Sequence, residues 1–192
     1  MRIRTAQKLH ELTTRQIIIN NAGVLEPFVP LLDSDPKDWT RTYHVNVFGV
    51  YHTLHAFTPL LLRTSDGMKQ VVNLSSIGAH NLTPGGSGYQ GTKLAVTRLT
   101  EHLTVEYPEL LAYSLHPGGV PTELAKGMGE AMMSKLIDSP RLAADTMVWL
   151  TSERREWLQG RYLSVTWDMQ DLLAKREKIE KEDLLKVKLR VD

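Results

Sequence analysis

The sequence predicts an α/β fold: a parallel sheet with helices on both of its faces. Three observations predict it. Short β-branched or apolar runs alternate with longer segments of helical apolar spacing, and each run leads into a turn containing Gly, Ser or Pro. The 192 residues suffice for one apolar core but not for two domains of ordinary size. Right-handed crossovers are the expectation for such a sheet, with the strand ends opening onto one crevice.

The elements follow in order. Ile17-Ile18-Ile19 is a β-branched run ended by Asn20-Asn21-Ala22-Gly23, which reads as a buried strand and its turn. A helix begins at Asp35 or Pro36, a cap and a first-turn proline, and carries Trp39, Tyr43, Val47, Val50 and Leu54 on one face until Pro59 ends it nearby. Gln70 to Leu74 is a second strand, followed by Ser75, Ser76 and a loop through Gly88. The next helix runs from about Tyr89 to Glu106 and is closed by Pro108. Leu111 to Leu115 and Arg161 to Val165 read as the third and fourth strands. Between them lie the Met-rich segment Glu123 to Leu136 and a helix from Pro140 to about Thr151, capped by Asp138 or Ser139. Met128, Met132 and Met133, at helical spacing, read as packing against the domain. From Asp171 onward, mixed charges around Leu172, Ile179 and Leu185 suggest a solvated helix leaning on the domain.

Composition narrows the function. The formal charge of +1 gives no field suited to nucleic acid or an anionic membrane. Cysteine is absent, which excludes disulfides, thiolate metal sites and cysteine nucleophiles, and a reducing compartment is compatible. No apolar run approaches the roughly 18 to 20 residues of a membrane span, so the reading is a soluble, cytoplasmic protein. His52 and His55 lie three apart on one helix but lack a convincing third ligand, so no metal is expected.

The chemistry gathers elsewhere. Tyr89 and Lys93 are four apart on a helix, hence on one face, and an ammonium beside a phenol favours phenolate. The spacing alone is weak, since roughly 0.3 such pairs arise by chance at this composition. Ser76 ends the preceding strand, and Asn46 places a polar amide within the apolar stretch Val45 to Val50, where it must be satisfied. Each piece has a plain reading by itself: Asn20 to Gly23 a turn, Pro117-Gly118-Gly119 a strand exit, Ser76 a cap, and Asn46 a helix amide bonded to its neighbours. Gly86-x-Gly88-x-x-Gly91 matches the dinucleotide fingerprint but lacks the strand that should precede it, so it reads as a loop beside Tyr89.

Taken together, Asn20-Asn21-Ala22-Gly23, Asn46-Val47-Phe48-Gly49, Asn73-Leu74-Ser75-Ser76, Tyr89-Gln90-Gly91-Thr92-Lys93 and Pro117-Gly118-Gly119-Val120-Pro121-Thr122 resemble the classical short-chain dehydrogenases/reductases. They match in order and spacing over residues 17 to 168. The resemblance implies a Rossmann-like sheet and an NAD(P)-dependent oxidoreductase acting on a small-molecule carbonyl or secondary alcohol. It makes Tyr89 the general acid or base, with Lys93 lowering its pKa and holding the nicotinamide ribose. Ser76 would bond the substrate oxygen, and Asn46 would hold a water in the proton relay. Asn21, Ala22 and Gly23 would line the cofactor, with Val120 and Thr122 at the nicotinamide end. NADP is preferred over NAD by family analogy, and a homodimer or homotetramer is expected.

The resemblance also implies a shortened start. Complete members begin with strands and a glycine-rich turn that bind the pyrophosphate, whereas here the first glycine is Gly23. Residues 1–16, with Ala6, Leu9 and Leu12 at helical spacing, resemble only the helix before the Asn-Asn-Ala-Gly strand. Residues 1–170 are thus a partial NAD(P)-binding domain lacking the first strands, and residues 171–192 a charged helical extension. The strand at Ile17 to Ile19 should then present an apolar edge able to pair with another chain. Two functions stay open: an oxidoreductase with a shortened or weakened cofactor site, and a non-catalytic remnant or binding module. An extended nucleotide-sugar epimerase fits less well, because the segment Gly160 to Asp168 and the tail look like those of fungal short-chain reductases, some of which serve secondary metabolism.

Overall fold

The computed structural model of the protein describes residues 17–191. The helical spacing at Ala6, Leu9 and Leu12 lies outside the described residues. Four strands form one sheet: β1 (Ile17–Asn20), β2 (Gln70–Leu74), β3 (Leu111–His116) and β4 (Tyr162–Ser164). They pair in sequence order and all in parallel, so Asn20 lies opposite Asn73, Asn73 opposite Ser114, and Ser114 opposite Tyr162.

Side-chain alternation along each strand splits the core in two. Val71 and Ala112 face α2 (Gly49–Arg63) and α3 (Ser87–Glu106), where Val50, Leu54, Val96 and Leu103 pack against them. Val72, Leu111, Tyr113 and Leu115 point the other way, onto Leu150, Trp157 and Leu158. Leu150 belongs to the helix Pro140–Thr151 that follows the short helix Glu130–Met133; these are α5 and α4. The strands therefore advance in one direction while the covering helix changes face. The connection from β3 to β4 consequently has the opposite hand to the first two, and the expectation of uniformly right-handed crossovers does not hold. The rule covers about 98% of such crossovers, and segment 117–161 is an exception because Leu150 of α5 packs on the face opposite α2 and α3.

Two local differences from the sequence reading bear on the site. The first helix is α1 (Pro36–Tyr43), capped by Asp35, whose carboxylate accepts from Lys37 N at 2.7 Å. It continues through a π-helical turn, His44–Phe48, into α2. Pro59 does not end that helix, which runs to Arg63. Pro59 and His55 are both exposed, so the carbonyl that loses its partner faces water, while Thr58, Leu60 and Leu61 stay buried.

The tail forms two short helices, α6 (Met169–Ala174) and α7 (Arg176–Lys181), whose Leu172 and Ile179 join the core. Its backbone is tied back by Tyr162 N to Leu185 O at 2.8 Å and by Val187 N to Glu101 Oε1 at 2.7 Å. No helix among the described residues is long and apolar enough to cross a membrane.

Candidate active site

The C-terminal ends of β1, β2 and β3 and the N-terminal end of α3 bring the expected residues to one place. Tyr89 and Lys93 sit in the first two turns of α3 and are 8% and 6% exposed, so neither is a solvated surface pair. Lys93 Nζ donates to Leu74 O at 2.7 Å and stands 5.5 Å from the Tyr89 ring centroid. Ser76, in extended backbone just past β2, accepts from Gly78 N at 3.0 Å, and its hydroxyl lies close enough to the Tyr89 phenol to act on its pKa. With one lone pair taken by Gly78, the Ser76 hydroxyl keeps its own proton for the phenol oxygen or for an oxygen placed beside it.

Electrostatics depart from the sequence expectation. Burial pushes the Tyr89 phenol above its ordinary pKa, the Ser76 hydroxyl opposes that rise, and the charge of Glu26 adds to it. Burial also lowers the Lys93 ammonium to about 8. The phenol is thus raised where a lowering is expected from the sequence, with desolvation the largest cause. At neutral pH the pair rests as neutral phenol and ammonium, a proton donor beside a cation.

Asn46 lies in the π-helical turn and is 1% exposed. Its amide is fully engaged: Nδ2 donates to Val24 O at 2.8 Å and to Thr92 Oγ1 at 3.1 Å, while Oδ1 accepts from Val24 N at 2.8 Å. Thr92 in turn donates to Tyr89 O at 2.7 Å. Asn46 thus joins the turn after β1 to the helix that carries Tyr89. Gly23 lies in that turn, and a Cβ there would sit 3.4 Å from Asn46 Oδ1, 3.8 Å from Lys93 Nζ and 3.9 Å from Leu124 Cδ1. Asn21 and Ala22 are exposed at the same strand end. Val120 and Thr122 follow the β3 exit, half-buried and exposed respectively, and Thr122 O accepts from Ala125 N at 3.0 Å to start the 3-10 turn Leu124–Met128.

Sequence reasoning passed over the hydroxyls that fix α3 to the sheet. Ser75 Oγ is 2.8 Å from Thr97 Oγ1, Ser114 Oγ donates to Thr97 Oγ1 at 3.2 Å, and Thr97 donates to Lys93 O at 2.9 Å. One turn on, Asn20 donates to Asn73 at 2.7 Å, and Asn73 to Thr100 Oγ1 at 2.9 Å. The glycine motif is not a loop throughout: Gly86 caps α3, Gly88 and Gly91 lie in its first turns, and a Cβ at Gly91 would stand 2.6 Å from the Tyr43 hydroxyl. A cavity of about 370 Å³ beneath the tail, lined by Trp167, Leu172, Ile179 and Leu184 among others, shares no residue with this set.

Comparison with known proteins matches residues 4–133 to the short chain dehydrogenase family. The chain belongs to that family. It is 51% identical over 175 residues to the short chain dehydrogenase mpl6 of Monascus purpureus, covering 90% of this chain and 59% of the relative. With the short chain dehydrogenase pigC of Monascus ruber it shares 40% over 177 residues, covering 90% of this chain and 58% of the relative. The short chain dehydrogenase described here thus spans about three fifths of the length of these relatives. Among solved structures, the oxidoreductase yciK of Escherichia coli has the same fold at a TM-score of 0.75 and 23% identity, covering 86% of this chain and 68% of that one. A gluconate 5-dehydrogenase from Burkholderia cenocepacia, in complex with NADP and tartrate, aligns at a TM-score of 0.73 and 21% identity, covering 85% and 68% of the two chains.

Proposed function

We propose that this short chain dehydrogenase is an NADP(H)-dependent oxidoreductase acting on a small-molecule carbonyl or secondary alcohol, with Tyr89 as the proton-transfer group. The observation that carries the reading is the buried Ser76, Tyr89 and Lys93 arrangement at the ends of three parallel strands. Family membership and the Monascus short chain dehydrogenases support an oxidoreductase, and NADP accompanies the Burkholderia protein of the same fold.

The residues present fit the nicotinamide end of such a cofactor. Gly23 leaves room beside Asn46 and Lys93, where even a Cβ would come into van der Waals contact with Asn46 Oδ1 at 3.4 Å and Lys93 Nζ at 3.8 Å. Lys93 spends one proton on Leu74 O and keeps others for the hydroxyls of a ribose. Asn21 and Ala22 would line the same strand end, and Val120 and Thr122 the carboxamide side. When bound, the nicotinamide supplies the hydride chemistry, giving a hydride to a carbonyl carbon or taking one from a secondary alcohol.

This chain's own groups handle the oxygen. The Ser76 hydroxyl donates to the substrate oxygen and holds it against the phenol. Tyr89, kept protonated by burial, gives its proton to that oxygen as negative charge develops there, which suits reduction. Lys93 then stabilises the phenolate left behind, and Asn46 keeps the turn at Gly23 and the start of α3 in register.

The test is a calorimetric titration of the 192-residue chain with NADPH and NADP. Saturable binding in the micromolar to low millimolar range is expected. No detectable binding at millimolar concentration would overturn the reading and leave a non-catalytic binding module.

A further inference from the structure

Glu26 enters none of the motifs above, yet it is only 5% exposed. It lies on the loop that follows β1, and its Oε1 accepts a 2.7 Å hydrogen bond from Tyr89 N. Burying a carboxylate is costly unless something answers it. Here the start of α3 answers Oε1, while Oε2 is buried without a hydrogen-bond partner. Tyr89 is the third residue of that helix, so its amide has no partner one turn back, and Gly86 before the helix offers no side-chain cap. The positive end of a 20-residue helix favours an anion at this place.

The approach depends on a second residue. A Cβ at Gly88 would stand 2.3 Å from Glu26 Oε1 and 2.9 Å from Trp39 Cδ1, so only glycine lets the carboxylate reach the helix. The loop itself is held on both flanks. Asn46 grips Val24 by two 2.8 Å bonds, while Phe28 N donates to Gly127 O at 3.0 Å. Leu25 packs so closely on Gly127 that a Cβ there would meet it at 2.5 Å.

Resting on the reading of Tyr89 as the proton-transfer group, we propose that Glu26 is a positioning residue. Its carboxylate caps the helix that carries the phenol and couples the phenol's placement to the Asn46-held loop and to the covering turn Leu124–Met128. Its charge acts on the same group, adding to burial in holding the phenol protonated while Ser76 opposes both. The groups around Tyr89 are Ser76 from the β2 exit, Glu26 from the β1 exit and Lys93 from α3 itself. From α1, the Tyr43 hydroxyl stands against Gly91; His80, closing the 3-10 turn Ile77–Ala79, meets Tyr162 edge-on instead.

Two measurements on the full chain test this without requiring turnover. An ultraviolet phenolate titration, with Tyr89→Phe as the subtracted reference, isolates the Tyr89 midpoint. Glu26→Gln keeps an oxygen acceptor and removes the charge, so the midpoint should move to lower pH. Hydrogen exchange reads the cap: the Tyr89 amide should exchange about tenfold faster or more in Glu26→Ala. Gly88→Ala should speed it likewise, although alanine is the better helix former. Glu26→Gln should restore the slow exchange. A Tyr89 midpoint in Glu26→Gln at the wild-type pH would overturn the proposal, as would an unchanged Tyr89 exchange rate in Glu26→Ala. Failure of the wild-type chain to bind NADPH would instead count against the oxidoreductase reading, and these two readouts would still decide the role of Glu26.

Discussion

On the face that carries α3, Asn73, Ser75 and Ser114 reach Thr100 and Thr97 through contacts of 2.8 to 3.2 Å, whereas the opposite face offers Val72, Leu111, Tyr113 and Leu115 to α5 and the tail. Apolar packing is strong but tolerant of small slips, because it has no direction. Buried hydroxyl and amide contacts are directional and penalise a slip at once. The helix bearing Tyr89 and Lys93 adds the second means to its apolar contacts at Val96 and Leu103, whereas α5 meets the sheet by the first. Position matters where a proton must travel; burial matters elsewhere.

This contrast breaks if substitutions on the two faces behave alike. Leu150→Ala, at a fully buried position on the apolar face, should lower unfolding free energy by about 2 to 5 kcal/mol in denaturant titration, while the Tyr89 midpoint stays put. On the other face, Lys93 titrates near 8 when folded and near 10.5 when unfolded. Between those values the unfolded chain binds more protons, so the Lys93 contribution to stability is unfavourable below pH 8 and is relieved as pH rises through the window. Wild type should therefore gain stability relative to Lys93→Met from pH 8 to 10.5, by at most about 1.4 kcal/mol per pH unit. Thr97→Val keeps the shape and removes the shared hydroxyl, leaving Ser114 short of a partner and Ser75 with Lys93 O alone. A loss of about 1 to 3 kcal/mol is expected, together with faster exchange at the start of α3. The smallest effect belongs to neither interface. Ile19, 48% exposed on the outer strand β1, should tolerate Lys within about 0.5 kcal/mol, and sedimentation should show less self-association at high concentration.

The same contrast explains what could be read in advance. Apolar periodicity is written in the chain, so β1 to β4, α3 and α5 were legible from alternating runs, from the Tyr89 and Lys93 spacing and from the Ser139-Pro140 cap. The five motif pieces also placed Gly23, Asn46, Ser76, Tyr89 and Lys93 at one end of the sheet. Directional contacts between distant segments leave no such period. Glu26 meets Tyr89 across 63 positions, and the serines and threonines under α3 resemble ordinary strand and loop residues. The π-helical turn adds a single residue to a turn, too little to disturb a hydrophobic pattern. The direction of the Tyr89 shift depends on burial depth, which spacing does not encode. Pro59 misled because its missing hydrogen bond falls on the wet side of α2.

The most direct test of the proton-transfer assignment compares wild type with Tyr89→Phe in NADPH-dependent reduction of carbonyl compounds, with NADPH affinity measured alongside. Turnover should fall by about 10²- to 10⁴-fold while affinity stays within about twofold, the mark of a lost proton donor in an intact site. Turnover retained by Tyr89→Phe would contradict the account.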